Sequence, residues 1–309
     1  MIDRRSLLLK ATATLLASPA WSQTSGSQDR IALWPGEPPG GGGPRGAVDV
    51  SRKGAVSNVV RPELAVVRPD KPNGAAVLVA AGGGYRRISM ANEAFPATSW
   101  LVAYGITVFV LTYRLPAEGW TAGPLAPLQD AQRAIRLIRS NAHRYGIDPD
   151  RLGVLGFSAG GHLLGMAAAR SAFRSYPPVD AADDLSARPS AAALIYPVIS
   201  LEPPYDQTAT RRSLIGDHPG TQAAEVWSVQ THVRAGCPPI FLVQAADDPI
   251  VDPANSEMMA KACRDASVPV EFDLLASGGH GFGMGRSSTP SAAWPGFYAN
   301  WLHRLRLIG

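Results

Sequence analysis

The chain has 309 residues, with 29 Lys or Arg against 25 Asp or Glu, a formal net charge of +4. Apolar residues make up 46%, enough for a sizeable core, and the length suits one large α/β domain or two small ones. No apolar run reaches the roughly 18 residues of an ordinary membrane-spanning helix, no basic cluster interleaved with aromatics marks a nucleic-acid surface, and two cysteines support neither a zinc site on their own nor a disulfide framework.

Residues 1–22 begin with Arg4-Arg5, continue through Leu7-Leu8-Leu9 and an alanine-rich stretch, and end in Ser18-Pro19-Ala20-Trp21-Ser22. A charged start, a short apolar run and small residues at the end make a signal segment. The paired arginines with Lys10 give it the twin-arginine form. The expectation is export to the periplasm or beyond the cell. Its removal takes away Arg4, Arg5, Lys10 and Asp3, a net +2, and leaves +2 of the original +4. The basicity therefore says little about an acidic partner.

Residues 23–46 are rich in Gly and Pro, including Pro38-Pro39-Gly40-Gly41-Gly42-Gly43-Pro44. They are predicted as an irregular lead-in, with the α/β domain running from 47 to 309. Apolar runs of β character follow at 64–68, 75–80, 106–113, 152–156, 192–196, 240–244 and 270–275. Near-continuous runs of this kind suit strands buried on both faces of a parallel sheet. Helical patterns lie between them at 128–145, 159–171, 253–265 and 292–307. In the first, Ala131, Ala134, Ile135, Leu137, Ile138 and Ala142 recur at three- and four-residue spacings, and Gly146 follows as a stop. The alternation predicts an α/β fold, a mostly parallel central sheet flanked by helices with right-handed crossovers. Residues 200–236 break the rhythm with Pro203-Pro204 and mixed polar residues. They read as a small insertion over the carboxyl edge of the sheet, where ligands bind in such folds.

Gly156-Phe157-Ser158-Ala159-Gly160 joins the strand at 152–156 directly to a helix of small residues. A serine on so tight a turn needs nearly side-chain-free neighbours two residues either side, and the strain lifts its hydroxyl above the sheet. A serine hydroxyl is a poor nucleophile near neutral pH, so it requires a base and an orienting acid. Downstream, Asp247-Asp248-Pro249 follows the strand at 240–244, and Gly278-Gly279-His280-Gly281 follows the strand at 270–275. The order Ser, Asp, His fits this architecture. His280 is expected to take the serine proton through one ring nitrogen while the acid holds the other. Spacing alone does not separate Asp247 from Asp248; Asp248 is favoured, with Asp247 bracing the loop. His162, inside the helix after Ser158, is expected to pack or hydrogen-bond there, and His143, His218, His232 and His303 lack a strand-end context.

Ala80-Ala81-Gly82-Gly83-Gly84-Tyr85 follows the strand at 75–80. Three glycines let backbone N–H groups converge on one oxygen. The amides of Gly83 and Gly84, with that of Ala159, are the expected oxyanion donors. A phosphate-binding loop is disfavoured because neither a Lys-Ser/Thr pair nor a G-x-G-x-x-G frame is present.

These segments, together with Val110-Leu111-Thr112-Tyr113-Arg114-Leu115, Asp130-Ala131-Gln132-Arg133-Ala134 and Gly146-Ile147-Asp148-Pro149-Asp150-Arg151-Leu152, resemble the α/β-hydrolase superfamily. More narrowly, the chain is similar to bacterial esterases related to hormone-sensitive lipase, and to the branch containing acetylxylan and feruloyl esterases. The resemblance runs from about residue 33 to 307. It implies a serine esterase with Asp248 as the acid, no metal and no organic cofactor. It also implies a small-molecule or oligosaccharide substrate carrying acetyl or aromatic acyl groups, with no nucleic-acid partner and no integral membrane association. Ala81 departs from the family, standing where the lipase-like group has His and the polysaccharide esterases often have Pro, and Asp252 replaces the usual Pro after Val251. A general short-chain carboxylesterase is the in-class rival, and a catalytically silent binding protein the rival from another class. Trp100, Trp120, Trp227 and Trp294 offer either sugar-stacking faces or core packing, with packing favoured. Cys237 and Cys263 read as unbridged apolar thiols rather than as a disulfide.

Overall fold

The computed structural model describes residues 29–309. The segment expected to be a signal, residues 1–22, and the first part of the lead-in lie outside the described residues. The strands are β1 (Asp29–Ala32), β2 (Asp49–Val50), β3 (Val56–Ser57), β4 (Glu63–Val67), β5 (Ala76–Ala80), β6 (Thr107–Thr112), β7 (Leu152–Phe157), β8 (Ala191–Ile195), β9 (Ile240–Ala245) and β10 (Val270–Leu275). The α-helices are α1 (Phe95–Ala103), α2 (Leu125–Ser140), α3 (Ala142–Tyr145), α4 (Ala159–Ala169), α5 (Ala209–Ile215), α6 (Thr221–Val226), α7 (Ala254–Asp265) and α8 (Trp294–Arg304). Eight strands form one sheet in the order β1-β4-β6-β5-β7-β8-β9-β10, while β2 and β3 make a separate hairpin. The strands from β6 to β10 are mutually parallel, and β4 and β1 are antiparallel additions at one edge.

Every residue of β5, β7, β8 and β9 is buried. Their unbroken apolar composition follows from helices covering both faces, since no solvent face is left to demand alternation. α4 is buried along its whole length and packs against β7 and β8. The pattern predicted as one helix over 128–145 is divided at Asn141, between α2 and α3. The Asn141 side chain donates to the Leu137 carbonyl at 2.9 Å, a local alternative to continuing the helix.

The lead-in differs from its expectation. Residues 29–32 form β1 and pair with β4, Ile31 opposite Leu64. Their burial alternates along the strand, as befits an edge strand with one side on the core. Trp34 is buried and donates through Nε1 to Asp130 at 2.8 Å, and the Leu33 carbonyl accepts from Arg133 Nε at 2.9 Å. This segment thus belongs to the domain; its turn residues masked a short strand and an aromatic anchor. Residues 200–236 form α5, α6 and a 3-10 turn at Val229–His232. Ala209 of α5 lies so close to Gly84 that a Cβ there would come within 2.9 Å of its own. The insertion therefore covers the carboxyl edge of the sheet beside the glycine loop. Cys237 and Cys263 are free thiols, and burial pushes the Cys263 thiol up to about 12.

Candidate active site

Ser158 occupies the single-residue turn between β7 and α4, with φ 51° and ψ −116°. An L-residue rarely adopts this conformation, and such strain persists only where the surroundings enforce it. Here the enforcing contacts are glycines. A Cβ on Gly160 would meet the Ala80 carbonyl oxygen at 2.2 Å, and one on Gly82 would meet Ser158 Cβ at 2.7 Å. The missing side chains let α4 start against the end of β5 and let the glycine loop lie directly on the serine.

The Ser158 hydroxyl lies 2.9 Å from His280 Nε2, and His280 Nδ1 lies 2.7 Å from Asp248 Oδ2. A carboxylate only accepts, so Nδ1 carries the proton and Nε2 is left to accept from the serine. The Asp248 side chain is fully buried and that of His280 is 17% exposed. Asp248 Oδ1 accepts from the amides of Ile250 and Val251 at 2.9 and 3.0 Å. Its Oδ2 also accepts from Gln244 Nε2 at 2.8 Å. Asp247 points elsewhere. Its Oδ1 accepts from the amides of Gly278 and Gly279, both at 2.8 Å, and so ties the acid loop to the loop that carries His280.

The amides of Gly83, Gly84 and Ala159 donate to no protein acceptor among the described residues, whereas the Gly82 amide is engaged by Glu93 Oε2 at 2.6 Å. Ala159 is the first residue of α4, where the helix dipole places partial positive charge. The site thus offers a hydroxyl, a base oriented by a buried acid, and free amide donors in the glycine loop and at the start of α4. That arrangement suits nucleophilic attack on a carbonyl carbon.

His162 is buried. It accepts from the Tyr85 hydroxyl at Nδ1 (3.0 Å) and donates from Nε2 to the Trp227 carbonyl (2.8 Å). Burial lowers its pKa to about 4, so it is neutral near pH 7. His232 donates to the Val226 carbonyl at 2.8 Å, and His143, His218 and His303 are exposed. Trp227 and Trp294 are buried in the core and half-buried Trp100 packs against it, stacked on Tyr298, whereas buried Trp120 lies outside that core, beneath the Arg114 guanidinium at 5.2 Å and beside the lead-in. Asp130 is buried against the guanidinium of Arg114. Two further residues, Glu93 and Tyr196, reach the site from β-strand ends and turns far apart in sequence. No local motif marks either of them.

The BD-FAE family profile matches residues 64–263, a span containing Ser158, Asp248 and the glycine loop. The chain belongs to the BD-FAE family. Over 221 residues the BD-FAE chain is 31% identical to an acetylxylan esterase of Xylanibacter ruminicola, covering 70% of its own length and 43% of that protein. Over 206 residues it is 33% identical to endo-1,4-beta-xylanase B of Butyrivibrio fibrisolvens, covering 66% and 32%. It therefore spans less than half the length of these two curated relatives. A crystal structure of an acetyl ester-xyloside bifunctional hydrolase from Caldicellulosiruptor lactoaceticus is 31% identical, with a TM-score of 0.76 over 91% of the BD-FAE chain and 98% of that one. The fold is accordingly that of the α/β-hydrolases. No helix among the described residues is long and apolar enough to cross a membrane.

Proposed function

We propose that the chain is an exported serine esterase that releases acetyl or aromatic acyl groups from plant-wall carbohydrate. One observation carries the chemistry: the continuous contact from Ser158 Oγ to His280 Nε2 and from His280 Nδ1 to Asp248, at 2.9 and 2.7 Å. In this reading Ser158 attacks the ester carbonyl as His280 takes its proton, and Asp248 steadies the imidazolium that forms. The amides of Gly83, Gly84 and Ala159 receive the developing oxyanion, and loss of one such donor costs about 10²–10³ in kcat. His280 then protonates the departing sugar alkoxide, leaving an acyl-enzyme. A water deprotonated by the same histidine attacks it and regenerates the serine.

The carbohydrate substrate is supported by the relatives named for acetylxylan and acetyl ester-xyloside hydrolysis. Export is supported by Arg4-Arg5 and the apolar run after them; the lysine pair Arg4→Lys/Arg5→Lys should retain the protein in the cytoplasm on cell fractionation. Hydrolysis of p-nitrophenyl acetate by wild type and Ser158→Ala tests the nucleophile, and equal turnover by the two proteins excludes it. Acetate release from acetylated xylan, measured beside short-chain glyceride esters, tests the substrate. A preference for the glycerides makes the enzyme a general carboxylesterase.

A further inference from the structure

Glu93 is 4% exposed and sits in a π-helical turn, Met90–Ala94, that runs into α1. π-turns are rare and concentrate at functional sites. A carboxylate this deep is costly unless its oxygens accept hydrogen bonds. Oε2 accepts from the Gly82 amide at 2.6 Å and Oε1 from the Tyr196 hydroxyl at 3.0 Å. The Tyr196 oxygen in turn accepts from the Gly283 amide at 3.0 Å. Gly82 opens the glycine loop, and Gly283 closes the loop that presents His280. Two loops 201 residues apart in sequence are therefore tied to one buried carboxylate, one directly and one through the Tyr196 hydroxyl.

The same turn adds further ties. The Ser89 amide donates to the Gly82 carbonyl at 2.9 Å, and Asn92 Nδ2 donates to the Gly281 carbonyl at 3.2 Å. The Tyr196 ring stands edge-on to His280, centroids 4.9 Å apart, and to Phe282 at 4.5 Å. Tyr196 holds a left-handed φ of 39° to do so, an unfavourable conformation for an aromatic residue. Burial raises the Glu93 pKa, and the Gly82 amide, the Tyr196 hydroxyl and the charge of His280 pull it back.

We infer that Glu93 is a positioning residue: through Tyr196 it clasps the oxyanion loop to the His280 loop, fixing donors and base relative to Ser158. The inference rests on the serine-esterase reading above. It gives the Gly82 amide a role distinct from those of Gly83 and Gly84: Gly82 donates to Glu93 and cannot serve an oxyanion. A displacement of about 1 Å between base and donors can cost about 100-fold in rate, so a clasp joining the two loops acts on turnover more than on substrate affinity.

The test uses the full chain and Tyr196→Phe, Glu93→Gln and Glu93→Ala. It measures steady-state hydrolysis of p-nitrophenyl acetate, the fraction of serines labelled by a fluorophosphonate, and thermal unfolding. Tyr196→Phe keeps the ring and deletes only the hydroxyl. Its kcat per labelled site is expected to fall at least about tenfold, with KM changed less than about threefold. Glu93→Gln, which still accepts from Gly82, is expected to retain more turnover than Glu93→Ala. Wild-type kcat per labelled site in Tyr196→Phe, with only the labelled fraction or Tm reduced, means that the pair merely supports the fold and overturns the inference. Tyr196→Phe decides the matter even if Glu93→Ala does not fold. Should Ser158→Ala turn over as fast as wild type, the esterase reading itself fails. A Ser158-dependent enzyme indifferent to Tyr196→Phe refutes the clasp alone.

Discussion

Asp247 and Asp248 share a side chain and a loop but face different partners. Asp248 meets the imidazole of His280, and Asp247 meets two glycine amides. Asp248→Asn, which leaves the shape intact and spoils the tautomer, is expected to lower kcat by about 10³–10⁴. Asp247→Ala is expected to cost far less turnover and to loosen the His280 loop, visible as faster amide exchange at Gly278 and Gly279. A smaller kcat loss for Asp248→Asn than for Asp247→Ala would reverse the assignment. His162 makes a second prediction at this scale. Its folded pKa of about 4 lies below the ordinary value near 6.5, so the unfolded chain binds the extra proton first as pH falls. Stability from this group is complete above about pH 6.5 and is lost on acidification toward pH 4, by roughly 3 kcal/mol in all. Urea unfolding at pH 7 and at pH 4.5 should show a larger loss in wild type than in His162→Gln. Motifs at strand ends announce residues such as Ser158, Asp248 and His280 because the backbone must be unusual there. Glu93 and Tyr196 leave no such trace, because what matters about them is a contact between segments distant in sequence.

Elements were readable in proportion to how completely they are buried. β5 to β9 appear as apolar runs because both of their faces meet helices. β1 has only one face on the core and is followed within a few residues by the Gly- and Pro-rich run at 38–44, so its four residues carry too little pattern to stand out. The π-turn and α1 were equally silent. Pro96 sits at the start of α1, and the apolar positions that follow do not trace one face. The junction of β7 and α4 allows a prediction about an element rather than a residue. α4 starts so close to β5 that Gly160→Ala would push a methyl group into the Ala80 carbonyl, 2.2 Å away. Both partners are backbone, so neither can rotate aside. The substitution is expected to destabilise by at least about 3 kcal/mol and to lower soluble expression. Wild-type Tm and activity in Gly160→Ala would show that the helix can shift without loss.

At the scale of the molecule, the described part of the lead-in acts as a strap. It completes one edge of the sheet and supplies acceptors or donors to Arg114, Arg133 and Asp130 in the interior. A chain starting at residue 47 keeps the ion pairs but deprives those buried charges of hydrogen-bond partners, which costs about 1–3 kcal/mol for each group left unsatisfied. Its Tm is expected to fall by about 10 °C relative to a chain starting at Asp29, as read by calorimetry; equal values would mean that the strap is dispensable.

The strand order has a consequence for synthesis. From β7 onward each new strand is laid beside the last, and the loop bearing His280 comes after β10, at the far edge. A nascent polypeptide thus carries its serine long before it carries the imidazole that arms it. Any product clipped or stalled short of that loop is an inert hydroxyl on an unfinished sheet, and the proposed ester cleavage must wait until the segment after the sheet's last strand has been made.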